Sequence, residues 1–285
     1  FCSLAWREKP ERIKHHGGIN MILITGASGF VGRYLMQTVP GAVAAPSLKE
    51  ADREMVERIL GDFPGDTILH TAAISDIGAC QADPEGSYRA NVQLPLWIAQ
   101  GAAGRKLICF SSDQVYSGSP EAGPYTEDKT APGNLYAAHK LEMEQRVLDV
   151  LPESVMLRAE WMYDLPAPKP NYLLNVLRAE TALSFSPRQY RGVTYVKEVA
   201  QNMERVMALP GGAYNFGSET KQSMYEITQQ LVRLLGRQTP VTPGPDRHNL
   251  WMDCGKAARQ GVVFRDVLEG LTLCLADYGL LHREG

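Results

Sequence analysis

The sequence has few cysteines, little excess charge of either sign and no long apolar run. Its five cysteines are scattered among 285 residues and lack CxxC spacing, which favours reduced thiols over a disulfide framework or a zinc site. The formal net charge of −3 and the lack of a basic run argue against nucleic-acid binding. No apolar segment approaches the roughly 20 residues that a membrane span needs. We therefore predict a cytoplasmic protein without a metal, a membrane segment or a nucleic-acid partner.

The first twenty residues do not look like the start of a folded domain. The segment FCSLAWREKPERIKHHGGIN lacks periodicity, has no apolar centre of the kind found in signal peptides, and precedes Met21, where the first clear strand begins. We assign residues 1–20 to a leader. One hypothesis is translated upstream sequence, because codons for Gly17 and Gly18 can form a ribosome-binding site before Met21. The alternative is a genuine extension, and mass spectrometry of the natural N-terminus would decide between them.

Apolar strands alternate with helical patterns up to about residue 160. MILITG, DTILHTAA and RKLICFSS are short apolar runs, each followed by a helical segment, and AVAA is a weaker second strand. Pro95 is expected to kink or divide the helix that begins after Pro84. The segment SVMLRAEWMY is predicted as one further strand. This alternation predicts an α/β fold with a doubly wound parallel sheet and right-handed crossovers.

The pattern changes after Asp164. A proline-rich connector is followed by segments that predict two helices and a long loop, namely NYLLNVLRAE, SMYEITQQLVRLLG and RQTPVTPGPDRHN. We expect this half to form a smaller lobe against the carboxyl end of the sheet, where ligands bind in such folds.

A glycine-rich turn lies directly between the first predicted strand and a predicted helix. Its GxxGxxG spacing permits a tight turn and close backbone approach, and a helix N-terminus presents free N–H groups to a pyrophosphate. Glycine triplets also occur in turns that serve packing alone, but the strand–turn–helix context favours a Rossmann-type dinucleotide site. The residues assigned to this site are Gly26, Ser28, Gly29, Phe30, Val31, Gly32 and Arg33.

The nicotinamide cofactor is predicted to be NADP, with NAD left open. NAD-binding proteins usually carry an acidic residue after the second strand to hold the ribose hydroxyls. The segment AVAAPSLKE has none immediately after its strand. Arg33 and Lys49 are candidates to meet a 2′-phosphate, although both could equally be solvated surface charges.

Tyr136 and Lys140 are four residues apart and therefore share one face of a predicted helix. A nearby ammonium group is expected to lower the pKa of a phenol, which suits a proton donor to a carbonyl that is being reduced. Ser112 ends a predicted strand and could hydrogen-bond the same carbonyl oxygen. A tyrosine–lysine pair is often a surface feature, but the glycine turn upstream and the strand-end serine favour an active site.

These motifs together resemble the extended short-chain dehydrogenase/reductase superfamily. Within it, SSDQVYSG resembles the STDYVFDG signature of the dTDP-4-dehydrorhamnose reductase family, and MLRAEWMY resembles its LRTSWVYG strand. The segments LHTAAISDIGACQADPEGSYRANV, PYTEDKTAPGNLYAAHK and HNLWMDCGKAARQGV also resemble that family. The likeness runs from Met21 to about Tyr278. The sequence departs from the family pattern at Thr71, Gln114 and His139, so the substrate-facing side is less typical.

The resemblance implies roles for individual residues. Ser112 would polarise the substrate carbonyl, Tyr136 would donate the proton, and Lys140 would bind the nicotinamide ribose. Asn91 matches an asparagine that holds a water in the proton relay of some relatives. Residues implied to line the adenosine side of the cofactor are Thr71, Ala72 and Ala73. Those implied to contact the substrate are Ser112, Asp113, Trp161, Arg191, Thr194 and Tyr195.

The resemblance also implies a function and a division of the chain. The leading hypothesis is an NAD(P)H-dependent reductase of a nucleotide-linked 4-keto-6-deoxy sugar, forming a homodimer. The alternatives are a sugar-nucleotide epimerase or dehydratase, and a non-catalytic regulatory subunit that binds a dinucleotide. Residues 21–160 would form the Rossmann dinucleotide-binding domain. Residues 161–285 would mainly form the substrate-binding lobe, with part of them returning to the sheet.

Overall fold

The computed structural model describes residues 21–281 except residues 103, 166, 168 and 169, so the predicted leader lies outside the described residues. The strands in the described part are β1 (Ile22–Thr25), β2 (Ala42–Ala44), β3 (Thr67–His70), β4 (Lys106–Ser112), β5 (Val155–Ala159), β6 (Trp161–Tyr163), β7 (Leu183–Phe185), β8 (Val193–Tyr195), β9 (Gly212–Phe216) and β10 (Val241–Pro243).

The helices in the same residues are α1 (Phe30–Thr38), α2 (Arg53–Asp62), α3 (Ile77–Ala82), α4 (Pro84–Tyr88), α5 (Leu94–Gly101), α6 (Leu135–Val150), α7 (Tyr172–Leu177), α8 (Val196–Met207), α9 (Met224–Leu234), α10 (Gly255–Ala258) and α11 (Val267–Asp277). A π-helical segment, Arg89–Gln93, joins α4 to α5, and a 3-10 turn, Asp113–Tyr116, follows β4. No helix in the described part of the chain is long and apolar enough for a membrane span.

The main sheet of the described residues is parallel, with the strand order β2-β1-β3-β4-β5-β9. Ile24 of β1 pairs with Ala44 of β2 on one side and with Leu69 of β3 on the other. The order of the strands reverses between β1 and β3. In open α/β sheets, ligands bind outside the carboxyl ends of the strands at such a switch point. The predicted doubly wound parallel fold is confirmed.

Helices cover both faces of this sheet. Successive residues of a strand point to opposite faces, so each strand contributes side chains to both layers of helices. Ile24 packs on one face with Leu35 of α1, in a core to which α8 also contributes. Its neighbour Leu23 packs on the other face with Leu60 of α2 and Met143 of α6. The strands are therefore buried on both sides, which explains why the sequence shows them as continuous apolar runs.

The second half of the chain divides between a lobe and the main sheet. Leu173 of α7, Ile227 of α9 and Leu271 of α11 meet in a separate apolar core. In contrast, α8 packs on the main sheet, and β9 pairs with β5 as its edge strand. Part of this half therefore lies in the main sheet, and the division of the chain into domains at residue 160 stays a prediction.

Three elements differ from the prediction. The segment 154–163 forms two strands rather than one, because β6 leaves the main sheet and pairs with β8. Glu160 lies at the break and turns its carboxyl group into the lobe. The segment 237–249, predicted as a loop, contains β10, which pairs with β7. The helix expected around residues 171–180 ends at Leu177.

Candidate active site

The turn between β1 and α1 forms a narrow cradle. Gly26 has a φ of +71°, which side chains disfavour, and its carbonyl accepts a 2.8 Å hydrogen bond from Gly29 N–H. No side chain caps the start of α1, so its first N–H groups are not used by a capping group. A Cβ at Gly26 would lie 2.7 Å from the Ala72 nitrogen, and one at Gly32 would overlap the Gly26 carbonyl. These glycines keep open a space that suits a pyrophosphate.

The other residues predicted to bind the cofactor surround this turn. Thr71 Oγ1 donates a 2.7 Å hydrogen bond to Thr25 O, which fastens the loop after β3 to the turn after β1. Ser28, Arg33 and Ala73 are exposed, and Phe30 is half-buried. Val31 packs against the core, so it can face a cofactor only through its backbone.

Ser112 ends β4 and begins the 3-10 turn. Its hydroxyl accepts a 3.2 Å hydrogen bond from Gln114 N–H and donates one of 3.1 Å to Asp113. Parallel strands direct their carboxyl ends to the same edge of the sheet, so Ser112 lies on the edge that carries the glycine turn. The Ser112 hydroxyl lies close enough to Tyr136 to act on the pKa of its phenol, which it lowers.

A buried ionic network lies beneath this serine, and the sequence did not indicate it. Glu144 of α6 accepts a hydrogen bond from the Ser111 hydroxyl and pairs with Arg158 of β5 at 2.7 Å. Arg158 also donates to the Tyr116 hydroxyl at 2.8 Å. These contacts join β4, β5 and α6, and thereby fix the end of β4 against the helix that carries Tyr136.

Tyr136 and Lys140 lie near the start of α6 and share one of its sides. Asn134 sets the beginning of this helix by accepting a 2.9 Å hydrogen bond from Ala137 N–H. Tyr136 is 6% exposed and Lys140 is 2% exposed. Lys140 Nζ lies 6.0 Å from the centre of the Tyr136 ring and donates a 2.8 Å hydrogen bond to Phe110 O. The predicted pair is thus buried beside the end of β4.

The pKa values of this pair differ from the expectation. Burial raises the pKa of Tyr136; the Ser112 hydroxyl opposes this rise and the Asp113 carboxylate adds to it. Burial also lowers the pKa of Lys140 to about 8. The expectation that Lys140 lowers the pKa of Tyr136 is wrong, because loss of hydration dominates. At pH 7, Tyr136 is a neutral phenol that can give a proton, and Lys140 is mostly a cation.

Asn91 lies in the π-helical segment, which Pro95 explains. In a regular helix the N–H of residue 95 would bond the Asn91 carbonyl, but proline has no N–H. Leu94 N–H instead bonds the Arg89 carbonyl, five residues back. The predicted division of this helix by Pro95 is confirmed. The Asn91 side chain is buried and donates a 2.9 Å hydrogen bond to Ile74 O, in the loop after β3.

Asp113, Trp161 and Arg191 form one cluster beside Ser112. Arg191 Nη2 pairs with Asp113 at 2.7 Å, and Arg191 Cζ lies 3.5 Å from the centre of the Trp161 ring. Arg191 and Asp113 are buried, whereas Trp161 is 48% exposed. Asp113 neutralises the guanidinium charge, so Arg191 supports the indole rather than offering a free cation.

Glu160 lies next to this cluster and was not among the predicted site residues. Its carboxyl oxygen accepts hydrogen bonds from the Thr194 hydroxyl and from Ser218 N–H. A Cβ at Gly192 or Gly217 would overlap the carboxyl group, so both glycines make room for it. Burial raises the pKa of Glu160 to about 8. The signal in the sequence is a single acid inside the apolar segment MLRAEWMY.

Thr194 and Tyr195 do not reach the crevice. Thr194 is fully buried, and its hydroxyl is occupied by Glu160. Tyr195 stacks on Tyr163, and its hydroxyl donates a 3.2 Å hydrogen bond to Asp277 of α11. The structure therefore does not bring these two predicted substrate residues to Ser112, because β8 directs them into the lobe.

A cavity of about 420 Å³ opens beside Trp161. Its lining includes Tyr172, Phe185, Gln189 and Arg247. The lining combines aromatic rings with several polar side chains, which suits a ligand that has a flat ring and polar substituents. Trp161 belongs both to the lining of this cavity and to the cluster with Asp113 and Arg191.

The fold and the site define a class of protein. A parallel sheet with a glycine turn after β1, a serine at the end of β4 and a tyrosine–lysine pair on α6 is typical of the extended short-chain dehydrogenase/reductases. Residues 20–249 match the family described as the RmlD substrate binding domain, and the chain belongs to that family.

Several curated proteins are similar to this chain. A dTDP-4-dehydrorhamnose reductase of Mycobacterium tuberculosis is 31% identical over 159 residues, which are 52% of this chain and 52% of the relative. The alignment thus spans about half of that relative's length. A probable dTDP-4,6-dihydroxy-2-methyloxan-3-one 4-ketoreductase of Streptomyces antibioticus is 27% identical over 77% of this chain and 80% of its own length. Methionine adenosyltransferase 2 subunit beta of Rattus norvegicus is 28% identical over 85% and 82%, respectively.

A solved structure shares the fold. The dTDP-4-dehydrorhamnose reductase of Bacillus anthracis, in complex with NADP, superposes with a TM-score of 0.81 at 19% identity. The superposition covers 92% of this chain and 100% of that protein. At 19% identity, this likeness shows the fold alone.

Proposed function

We propose that this protein is an NAD(P)H-dependent reductase of a nucleotide-linked 4-keto-6-deoxy sugar. The observation that supports the proposal most is the position of Tyr136. It is a buried neutral phenol next to Lys140 and Ser112, at the sheet edge that carries the glycine turn. A hydroxyl that can give a proton, beside a dinucleotide cradle, is the arrangement that carbonyl reduction needs.

The cradle residues fit a dinucleotide. Gly26 and Gly32 leave a space that any Cβ would close, and the first N–H groups of α1 can receive the diphosphate. Arg33 and Lys49 are both exposed, and no acidic residue follows β2 directly, so we propose NADP as the preferred cofactor. When bound, the reduced nicotinamide supplies a hydride to the carbonyl carbon.

The chain's own residues would supply the proton and hold the substrate. Tyr136 would transfer its phenolic proton to the carbonyl oxygen, and Ser112 would hydrogen-bond that oxygen and orient it. Lys140 keeps two N–H groups after bonding Phe110 O, and these could hold the cofactor ribose. Burial of all three side chains excludes water from the proton transfer.

The proposed substrate contacts lie on the lobe side of the crevice. Trp161 offers the exposed part of its indole to the sugar, with Asp113 and Arg191 as its support. The nucleotide would occupy the neighbouring cavity of about 420 Å³. The names of the reductase and ketoreductase relatives support a nucleotide-linked sugar as the substrate class.

A second candidate is a non-catalytic regulatory subunit. Its support is the likeness to the methionine adenosyltransferase subunit beta of Rattus norvegicus, which extends over 85% of this chain. The complete set of Ser112, Tyr136 and Lys140 favours the reductase.

The variant Tyr136→Phe separates the two candidates. It removes the proton but keeps the ring, so we expect kcat for NADPH-dependent reduction of dTDP-linked 4-keto-6-deoxy sugars to fall about 10²–10⁴-fold. Binding of NADPH, followed by its fluorescence, should persist. As a matched control, Tyr225→Phe removes a hydroxyl that accepts a hydrogen bond from Gln229 on α9, and should leave kcat unchanged. Equal rates for Tyr136→Phe and the parent protein would refute the proposed role of Tyr136.

We also propose that the protein acts in the cytoplasm as a homodimer and does not bind nucleic acid. The formal net charge of −3 supports the last point. Size-exclusion chromatography with light scattering tests the dimer, for which a single species of twice the 31.5 kDa chain mass is expected.

A further inference from the structure

His139 is a buried histidine on α6, next to Lys140, and it takes no part in the proposed chemistry. Its Nδ1 atom lies 2.9 Å from the Ser87 hydroxyl oxygen of α4. Ser87 is fully buried, and His139 nearly so. A buried polar contact between two helices fixes their relative position, because breaking it would leave the imidazole Nδ1 without this partner in a buried site.

Ser87 continues this contact to the candidate site. Asn91 Nδ2 donates to Ser87 Oγ at 3.3 Å and to Ile74 O at 2.9 Å, while Asn91 Oδ1 accepts from Ile74 N–H at 3.2 Å. Asn91 therefore bonds both the carbonyl and the N–H group of Ile74, in the loop after β3. That loop begins with Thr71, Ala72 and Ala73, which are predicted to line the cofactor, and continues to Ile74.

The hydrogen bonds around Ser87 favour one protonation state of the histidine. Asn91 donates to Ser87 Oγ, so the Ser87 proton is available for His139 Nδ1. That nitrogen accepts only when it carries no proton, which means a neutral imidazole protonated at Nε2. An imidazolium would instead donate from Nδ1 to Ser87, and the Ser87 proton would then have to find another acceptor in a fully buried site.

We infer that His139 is a positioning residue, which acts through Ser87 to fix the orientation of Asn91 and of the loop at Ile74. The inference deepens the proposed function, on which its kinetic consequence rests. In its neutral form His139 completes the chain of hydrogen bonds from α6 to the cofactor loop. In its protonated form, Nδ1–H donates to Ser87 Oγ, and the Ser87 proton loses its acceptor. The pH at which His139 gains a proton therefore sets an acid limit to cofactor binding and turnover.

The groups around His139 decide where this limit lies. The Tyr88 ring of α4 meets the imidazole edge-on, with the ring centres 5.4 Å apart. The Tyr88 hydroxyl donates to Glu142 of α6 at 2.7 Å and accepts from Arg146 at 2.6 Å. Burial lowers the pKa of His139, and the Glu142 carboxylate opposes this. Protonation therefore takes place below the ordinary value of about 6.5, so the chain is intact at neutral pH.

Two further titratable groups complete these surroundings. The Cys80 sulfur of α3 accepts a hydrogen bond from Asn91 Nδ2 at 3.8 Å and donates one to Ile74 O at 3.3 Å. Lys140 follows His139 in the chain and donates to Phe110 O, away from the imidazole.

A first experiment tests the hydrogen-bond chain without substrate or cofactor. In ¹⁵N-labelled protein at pH 7.5, two-bond ¹H–¹⁵N spectra should show His139 protonated at Nε2, with the Nδ1 shift of an acceptor. Ser87→Ala should move that Nδ1 resonance, whereas Tyr88→Phe, which removes a hydroxyl that bonds Glu142 and Arg146, should leave it near the parent position. A neutral His139 protonated at Nδ1, or an Nδ1 resonance unchanged in Ser87→Ala, would overturn the inference.

A second experiment measures the consequence. In His139→Asn, the side-chain oxygen can replace Nδ1 as an acceptor but cannot titrate, so kcat at pH 7.5 should stay within about twofold of the parent and should not fall at acid pH. His139→Ala should lose about 10- to 100-fold in kcat at every pH.

NADPH affinity, read by fluorescence from pH 5.5 to 8, should weaken at acid pH in the parent and not in His139→Asn. Parent-like kcat, affinity and pH profiles in a folded His139→Ala protein would contradict the inference. If no keto sugar is reduced by the parent, the proposed function fails, and the NMR spectra and NADPH affinities alone decide the role of His139.

Discussion

Burial, more than the proximity of opposite charges, sets the charge of the side chains around this crevice. It keeps Tyr136 neutral and brings the pKa of Lys140 down to about 8. The same effect raises the pKa of Glu160 to about 8, although Thr194 and Ser218 hydrogen-bond its carboxyl group. At pH 7 the cluster beside Ser112 therefore holds one ion pair, Asp113 with Arg191, and one neutral acid.

The substitution Glu160→Gln tests whether this buried carboxyl group is neutral at pH 7. The folded protein holds the Glu160 proton up to about pH 8, whereas the unfolded chain releases it near pH 4.5. Over that interval the unfolded state binds fewer protons, so this carboxyl group makes the folded state less stable as the pH rises. Glutamine keeps the acceptor oxygen and never ionises. We expect the unfolding free energy of the variant, relative to the parent, to rise by about 4 kcal/mol between pH 5 and pH 8.5.

Urea denaturation at several pH values measures this difference. Glu57→Gln is the matched control, because Glu57 is an exposed partner of Arg53 on α2. Its effect on stability should stay within about 0.5 kcal/mol of zero at each pH. A Glu160→Gln difference that stays constant across the pH range would show that Glu160 is already ionised at neutral pH.

At the scale of elements, the glycine turn and the π-helical segment position the site. Both result from what a residue lacks: a Cβ at Gly26 and Gly32, and an N–H at Pro95. Such features are local in the sequence. The spacing of the glycines, the strand-end Ser112 and the Tyr136–Lys140 pair could therefore be predicted from short segments alone.

Features that depend on distant residues could not be predicted in this way. Asp113 and Arg191 are 78 positions apart, and their ion pair follows from the packing of the lobe against the end of β4. The break at Glu160 depends on space left by Gly192 and Gly217, which no pattern within the segment 154–163 reveals. The family resemblance implies a substrate contact for Thr194, whereas in the structure its hydroxyl bonds Glu160.

The prediction at the element scale compares two glycines in helices. In Gly32→Ala the new methyl group overlaps the Gly26 carbonyl, so the turn must shift, and NADPH affinity should weaken about tenfold or more. In Gly61→Ala, on α2, the methyl group meets no atom within 4 Å. That variant should bind NADPH as the parent does and gain about 0.5–1 kcal/mol of stability. Titration of NADPH fluorescence and thermal unfolding measure both effects, and equal affinities would contradict the role of the cradle.

At the scale of the whole molecule, the crevice lies where the sheet and the lobe meet. The sheet supplies the glycine turn, Ser112 and Asp113, and α6 supplies Tyr136 and Lys140. The second half of the chain supplies Arg191 and Trp161. The buried pair of Asp113 and Arg191 links the two halves directly beside the proposed reaction centre. A substrate bound there would contact both halves, which is the arrangement expected when one part of a fold binds a dinucleotide and another part selects the substrate.

We propose that this crevice reduces a nucleotide-linked keto sugar. The most direct test is the transfer of deuterium from NADPH, labelled at the transferable position of its nicotinamide, to a dTDP-linked 4-keto-6-deoxy sugar, followed by mass spectrometry of the sugar. We predict an alcohol product that carries one deuterium at C4, formed faster with NADPH than with NADH. A panel of nucleotide-linked keto sugars that all remain unreduced with both cofactors, or a product without deuterium, would contradict the account.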